Sequence, residues 1–421
     1  MNIHTPPTDL SVLEGETSFP LGDGPLSTDP YISSQFFERE KAELFRKNWL
    51  LMCREDDLPK SGDFVRIDLK FLQASVILVR GKDKTVRAFH NTCRHRGAAL
   101  CMDAKGSTKV LTCPFHGWVY GLDGKLLDVA LEDHFGSLPP KDKLGLVSIN
   151  ADVWGGFVFI NFAGAPKKTL AQAMIGMPQA LEDYLGKETW NWSHGFKYEI
   201  NANWKEVMGV ANEGYHVNYL HKRTIEAATA PSDSPVWLLP DGGDVMTRLE
   251  VHRPEVGSGA ETSQTEVGMI AFGLSDAAFL YSDFEVKGAH DKYPGAVNTH
   301  HRPRWSFDSH MVLPNLTLHV WNDQLLVHRI IPIDEHRTAW LYDFFFIEKA
   351  PSKFSELFAR TYGILYGRDI VSEDTTTLEG MHLSLKSGLL KEFYLNDMET
   401  APRALHERVL EEVGATPQKV K

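Results

Sequence analysis

Residues 93–97 read Cys93-Arg94-His95-Arg96-Gly97, and residues 113–118 read Cys113-Pro114-Phe115-His116-Gly117-Trp118. Each segment brings one cysteine and one histidine, as Cys-x-His and Cys-x-x-His, with residues 96–112 between the two halves. Two thiolates and two imidazoles make a metal-binding donor set. Zinc accepts the same four donors, but zinc modules usually pair like with like, Cys-x₂₋₄-Cys and then His-x₃₋₅-His. Here each half supplies one of each kind. Gly97, Pro114 and Gly117 suit two tight loops closed on a buried group, with backbone N–H groups free to bond its sulfurs.

This is the donor set of a Rieske [2Fe–2S] centre: Cys93 and Cys113 on one iron, His95 and His116 on the other. Neutral imidazoles raise its potential above that of an all-cysteine cluster. A zinc site, or a coincidence of buried cysteines and structural histidines, is the plainer alternative. A cluster of this kind moves single electrons and does no substrate chemistry alone. A second site is therefore expected elsewhere in the chain.

At 421 residues the chain is long enough for two domains, and its 43% hydrophobic and 24% charged content is ordinary for a soluble globular protein. The net charge of −12 argues against a nucleic-acid partner, since phosphate binding needs a basic surface. Of the four cysteines, Cys53 and Cys101 are left over, which suggests no disulfide framework. No apolar run approaches a membrane span, and residues 1–25 lack the basic start and apolar stretch of a signal peptide. The expectation is a cytoplasmic enzyme without membrane attachment.

Residues 33–49 place Phe36, Phe37, Leu44, Phe45 and Trp49 at helical spacing behind an N-cap at Ser33 or Ser34. From 50 to about 162 the texture becomes short β-prone runs, such as Ala74-Ser75-Val76-Ile77-Leu78-Val79, divided by turn signals. Three domains are expected: an N-terminal arm and helix at 1–49, an all-β cluster domain at 50–162, and a catalytic domain at 163–421. Residues 170–185 and 352–387 read as helical, as does 401–413, and strands are expected near 245–251, 311–320, 325–331 and 338–347. The weakly periodic stretch 253–304 reads as an irregular insertion.

The segment 203–221, NWKEVMGVANEGYHVNYLH, holds His216 and His221 with Glu213 three residues before the first. On a helix Glu213 and His216 share a face; His221 joins them only if the helix ends or loosens beside it. Histidines on a helix are more often structural than ligating. Two histidines with one distant carboxylate nevertheless make the facial triad of non-haem Fe(II) oxygenases.

With these residues together, the chain resembles the Rieske non-haem iron, aromatic-ring-hydroxylating oxygenases, large α subunit. The resemblance is carried by CRHRG, CPFHGW, the 203–221 segment, Leu313-Pro314-Asn315-Leu316 and Ser372-Glu373-Asp374-Thr375-Thr376-Thr377-Leu378-Glu379. It implies an α+β fold: a small all-β Rieske domain plus a larger catalytic domain, an antiparallel β-sheet flanked by helices. It implies a [2Fe–2S] cluster on Cys93, His95, Cys113 and His116, and a mononuclear Fe(II) on His216, His221 and Asp374. Glu379 fits the glutamate that follows the family's aspartate, while Glu373 and Asp369 compete with Asp374 for the third ligand. Glu213 takes the place of a carboxylate that carries electrons between a neighbouring subunit's cluster histidine and an iron histidine. That role implies a head-to-tail homotrimer, with a β subunit left open. Where many members have Glu-Asn, this chain has Gly209-Val210, which leaves the substrate side less predictable.

The implied activity takes electrons from NAD(P)H through a partner reductase, with or without a ferredoxin. With O₂ as co-substrate, it mono- or dihydroxylates an aromatic or other apolar molecule. Oxidative N- or O-demethylation is the alternative, and a non-catalytic electron-transfer subunit a further one. Phe344, Phe345 and Phe346 are candidate pocket residues, and Arg302 and Arg304 candidate carboxylate partners; core packing and surface positions are the plainer readings.

Overall fold

The computed structural model describes residues 21, 23–222, 224, 234–239, 243–252, 292–322, 324–346 and 365–415. The expected segments 1–20, 253–291 and 352–364 lie outside the described residues. Two compact units emerge: Lys41–Ala171, and the rest of the chain from Gln172 on together with residues up to Glu40.

The Lys41–Ala171 unit is built on strands β1 (Leu50–Arg54), β2 (Asp63–Leu69), β3 (Ala74–Arg80), β4 (Val86–His90), β5 (Lys105–Ser107), β6 (Leu111–Thr112), β7 (Val119–Tyr120), β8 (Leu126–Asp128), β9 (Ser148–Trp154) and β10 (Phe157–Asn161). Seven form one antiparallel sheet in the order β1-β10-β9-β4-β3-β2-β5, and β6-β7-β8 form a second, small one. Val76, Ile77, Leu78 and Val79 of β3 are buried on both faces, as a β-branched central strand should be. Trp118, Tyr120, Leu111 and Phe89 pack into one core with Cys93 and Cys113. The cluster loops are thus fastened to the hydrophobic centre by the residues that follow and precede them.

The other unit carries a seven-stranded antiparallel sheet in the order β11-β17-β16-β15-β14-β13-β12. Its strands are β11 (Asn191–Ile200), β12 (Val236–Leu238), β13 (Val245–His252), β14 (Trp305–Val312), β15 (Leu316–Val320), β16 (Gln324–Asp334) and β17 (Arg337–Phe346). The helices that matter for the site are α1 (Ser34–Arg39), α2 (Gln179–Lys187), α3 (Trp204–Val210), α4 (Val217–Leu220), α5 (Val371–Lys386) and α6 (Thr400–Glu412). In α5, Val371, Asp374, Leu378, His382 and Leu385 are buried at spacings of three and four, so one face is committed to the interior.

Several sequence expectations need correction. The helix expected over 33–49 is α-helical only over Ser34–Arg39, capped by the Ser33 hydroxyl accepting from Phe36 N–H, and continues as a π-helix over Glu40–Phe45. The helix over 170–185 is two helices, Leu170–Ala173 and α2, because Gly176 adopts φ +106° and Pro178 follows. The strand over 311–320 is two, β14 and β15, which pair as a hairpin with Val312 opposite Leu316. Pro314 lacks the N–H that a continued ladder needs.

Candidate metal centres

The first centre lies in two loops of the Lys41–Ala171 unit. Asn91, buried after β4, accepts from the N–H groups of Leu100 and Cys101 at 2.8 and 2.9 Å and donates to the Cys101 carbonyl at 2.9 Å, which pins the Cys93 loop at both ends. Within each loop the glycine N–H donates back to the cysteine carbonyl at 3.0 Å: Gly97 to Cys93, and Gly117 to Cys113. Both glycines have positive φ, +80° and +70°, and a β-carbon added at either would meet no heavy atom nearer than 3.7 Å. Backbone conformation, not space, therefore requires them.

The loops bring all four expected ligands together. Cys93 and Cys113 are buried, while the His95 and His116 rings stand toward the surface with centroids 4.7 Å apart. His95 stacks on Trp118 at 5.1 Å and 10°. The Tyr120 hydroxyl lies 3.3 Å from Cys93 Sγ and accepts from Arg94 N–H at 3.0 Å. Burial pushes the Cys93 thiol above its ordinary value, so a bare thiolate there is costly without a cation. His95 Nδ1 is sealed from water and makes no hydrogen bond. An orphaned imidazole nitrogen beside two buried thiols fits a metal cluster.

The second centre is in the other unit, where the expected long helix over 203–221 is broken. α3 ends at Val210, and α4 is a single turn with His216 as its N-terminal cap and His221 as its C-terminal cap. That break swings His221 toward His216, as an unbroken helix would not. The rings stand 5.0 Å apart, and their Nε2 atoms 3.2 Å apart. Asp374 Oδ1, reaching in from the first turn of α5, is 3.2 Å from His221 Nε2 and 3.5 Å from His216 Nε2.

The opposite nitrogens decide what this triangle is. His216 Nδ1 donates to Glu213 Oε1, and His221 Nδ1 donates to Glu373 Oε2 at 2.8 Å. Thr224 Oγ1 donates to the same Glu373 oxygen at 2.7 Å. With Nδ1 held on the carboxylate side in each ring, Nε2 is the nitrogen turned inward, bare whenever the ring is neutral. Two lone pairs and a carboxylate oxygen that makes no hydrogen bond face one another in a buried site. That donor set is one a metal cation would satisfy. Ligands about 2.1 Å from a transition metal lie about 3.0 Å apart at right angles and about 3.4 Å at tetrahedral angles, an interval that holds the two 3.2 Å edges and stops just short of the 3.5 Å one.

Of the sequence competitors, Glu373 grips His221 from behind, and Asp369 pairs with Arg368 at 2.6 Å. Glu379 accepts from the N–H and side-chain amide of Asn201 at 3.0 and 2.9 Å and belongs to no metal centre. The positioning role of Glu373 went unread in the sequence. Its signal was the adjacent acid pair at the start of a helix, but sequence alone does not say which acid faces which ring nitrogen.

A cavity of about 110 Å³ opens on the triad from the sheet side. It is lined by Val210, Ala211 and Val217 from the α3–α4 region, and by Leu249, Val251, Phe307, His319, His328, Trp340 and Tyr342 from one face of the sheet. Neither Phe344–Phe346 nor Arg302 and Arg304 are among its described lining residues, and none of those is a lysine or arginine. On its other side the triad borders a second cavity of about 240 Å³, lined also by Lys205, Glu206, Glu213, Tyr215 and Glu399. An open polar groove of about 550 Å³ around His336 and Lys386 contains none of the triad.

Comparison with known proteins finds a family for each of the two segments. A family model described as Rieske [2Fe-2S] domain matches residues 48–139, and one described as ring hydroxylating alpha subunit (catalytic domain) matches 187–415. The glycine betaine monooxygenase oxygenase subunit of Chromohalobacter salexigens is 29% identical over 330 residues, 75% of this chain and 70% of that protein. The carnitine monooxygenase oxygenase subunit of Acinetobacter baumannii is 32% identical over 45% of this chain and 51% of its own length. The anthranilate 1,2-dioxygenase large subunit of Acinetobacter baylyi is 28% identical over 64% of this chain and 56% of its own length. The chain thus spans about half the length of these last two relatives. Naphthalene 1,2-dioxygenase with indole bound has the same fold, at a TM-score of 0.69 and 20% identity over 94% of this chain and 93% of that one.

Proposed function

The chain belongs to the ring-hydroxylating α-subunit family of Rieske non-haem iron oxygenases, and from that premise we propose that it oxygenates a compact, mainly apolar small molecule held beside His216, His221 and Asp374. It is the oxygenase component and works with a reductase. In this reading Cys93, His95, Cys113 and His116 hold the cluster, and His216, His221 and Asp374 hold the iron. When bound, the cluster supplies single electrons and the iron supplies open positions for O₂.

The chain's own residues do the rest. Glu213 and Glu373 hold the two ring tautomers so that Nε2 faces inward. Leu249, Val251, Phe307 and Trp340 exclude water from the substrate side and orient an apolar ring. Glu213 also borders the cavity on the opposite side, where a second copy's His116 would meet it; this is the basis for proposing a homotrimer with electron transfer between copies. Residues 50–162 are assigned to the cluster domain, and 163–421 with the 1–49 arm to the catalytic one. Among the described residues no helix is long and apolar enough to cross a membrane.

The observation that carries the reading is the cavity ending on the inward-facing triad, at a volume of the order that holds one benzene-sized ring. A second reading, oxidative demethylation of a quaternary ammonium compound, is favoured by the relatives' names. The aromatic walls Phe307, Trp340 and Tyr342 also support it, since such rings attract a trimethylammonium group. The test supplies the iron-loaded protein with a reductase, NADH and ¹⁸O₂, against single-ring aromatics and against betaines. Labelled ring hydroxyls support the first reading and formaldehyde release the second. Neither product from any compound, in protein containing both metal centres, ends the proposal.

A further inference from the structure

Two histidines in the substrate cavity have no part in the metal site. His319 on β15 and His328 on β16 sit on the same sheet face, two residue pairs apart in register, because Thr317 pairs with His328 and His319 with Leu326. Their rings are 4.5 Å apart. Both are neutral, since burial pushes His319 down to about 4 and His328 well below its ordinary value.

Each tautomer is fixed by one hydrogen bond. The Trp340 indole N–H only donates, and it donates to His328 Nδ1 at 3.0 Å, so the proton of that neutral ring resides on Nε2. The Ala211 carbonyl only accepts, and it lies 3.1 Å from His319 Nε2, so that ring keeps its proton there and leaves Nδ1 bare. The two remaining nitrogens, His328 Nε2 and His319 Nδ1, are sealed from water and have no partner. Ser309, the nearby hydroxyl on the same wall, is already committed to Asn212 Oδ1 at 3.1 Å. The cavity wall therefore holds one fixed N–H donor and one fixed lone-pair acceptor on neighbouring rings, both covered while the cavity is empty and within a side-chain rotation of it, among apolar groups and the hydroxyls of Ser234, Ser309 and Tyr342.

We propose that His328 and His319 form a specificity pair that binds a hydroxyl group of the substrate, His328 donating to its oxygen and His319 accepting its proton. The idea rests on the oxygenase reading above and narrows its substrate to a neutral hydroxylated ring. A carboxylate cannot use the pair, because it brings only acceptors to the bare His319 nitrogen. An ether or an unsubstituted ring leaves one or both nitrogens unsatisfied, and a buried polar group left unpaired is penalised more than a pairing is rewarded.

The test measures binding of phenol, anisole, benzene and benzoate to the intact iron-loaded protein by calorimetry, with ¹⁸O₂ incorporation followed in parallel. Phenol should bind at least about tenfold more tightly than anisole or benzene, with benzoate the weakest. His319→Leu and His328→Leu should each erase the preference for phenol over benzene while retaining the cluster spectrum. If either variant fails to fold, the order of affinities in the unaltered protein decides alone, supported by ¹⁵N shifts of the histidine rings with and without phenol. Equal affinity for phenol and benzene, or tightest binding of benzoate, overturns the pair. Phenol-selective binding without oxygen transfer to any compound would uphold the pair and defeat the oxygenase reading instead.

Discussion

Glu373 accepts the Nδ1 proton of His221 at 2.8 Å, so the acid that rivals Asp374 in the sequence grips the ring from behind while Asp374 meets its front. Adjacent residues on a helix point about 100° apart, and here that angle places one carboxylate on each side of a single imidazole.

Asp374→Ala should therefore remove the mononuclear iron, because it deletes one of three donors. Glu373→Ala should leave all three but weaken iron binding about 10–100-fold by freeing the His221 ring. Metal analysis per protein, with the reduced cluster's EPR signal as the folding control, separates the two. Full iron in Asp374→Ala with none in Glu373→Ala would reverse the assignment.

Glu213→Gln keeps an amide oxygen for the His216 Nδ1 proton but removes the negative charge. Both metal sites should stay filled and product formation should fall about 100-fold. With the cluster pre-reduced and substrate and O₂ present, its reoxidation should slow by a similar factor. Reoxidation at the original rate would remove Glu213 from the electron route.

The proposed metal ligands were the most legible part of this chain because spacing within a few residues constrains them. Cys93, His95, Cys113 and His116 could be read directly from two loops. His216 and His221 were legible only as a pair awaiting a break in the helix, which Val210 and the α4 turn supply. Choosing Asp374 over Glu373 needed the family resemblance, since only the tertiary facing of α5 distinguishes them. The cavity walls were not legible at all. Its residues alternate on β13 to β17, and which strand lies beside which is a long-range fact that no local pattern encodes. Phe344, the most conspicuous aromatic in the sequence, is core, and the wall is made by Trp340 and Tyr342 on the same strand.

Tyr120→Phe deletes the hydroxyl that lies 3.3 Å from Cys93 Sγ and leaves the ring in the core. A hydrogen bond to a ligand sulfur favours the more negative, reduced cluster. The variant should hold its cluster with an unchanged oxidised spectrum but a lower midpoint potential, measured by redox titration. An unchanged or raised potential would show that the hydroxyl serves only Arg94 N–H.

Lys205 and Glu40 form an ion pair at 2.6 Å with both side chains fully buried, and Glu40 also accepts the Trp204 indole proton at 3.0 Å. Lys205→Met strands a buried carboxylate and should cost about 3–5 kcal/mol in denaturant unfolding. Adding Glu40→Leu should recover most of that loss, because two apolar residues replace two desolvated charges. A double variant no more stable than the single one would mean that the pair is needed for packing.

Acid should destabilise the protein through its buried histidines. His406 stacks on Tyr31 at 5.7 Å, and burial, with Lys205 and Arg403 nearby, pushes it down to about 4; burial likewise pushes His310 down to about 3. In the unfolded chain both titrate near 6.5. Between that value and 4, the unfolded state binds a proton at His406 that the folded state refuses, so stability falls as pH falls. The contribution is complete above about pH 6.5, is lost progressively down to about 4, and is flat below it. Its full size for His406 is on the order of 3 kcal/mol. His406→Gln removes the titrating group, so its unfolding free energy should decline less steeply than the unaltered protein's from pH 6.5 to 4.5. Carboxylates contribute equally to both proteins and cancel in the comparison. Identical slopes in urea titrations across that window would show that His406 is already neutralised by a contact retained on unfolding.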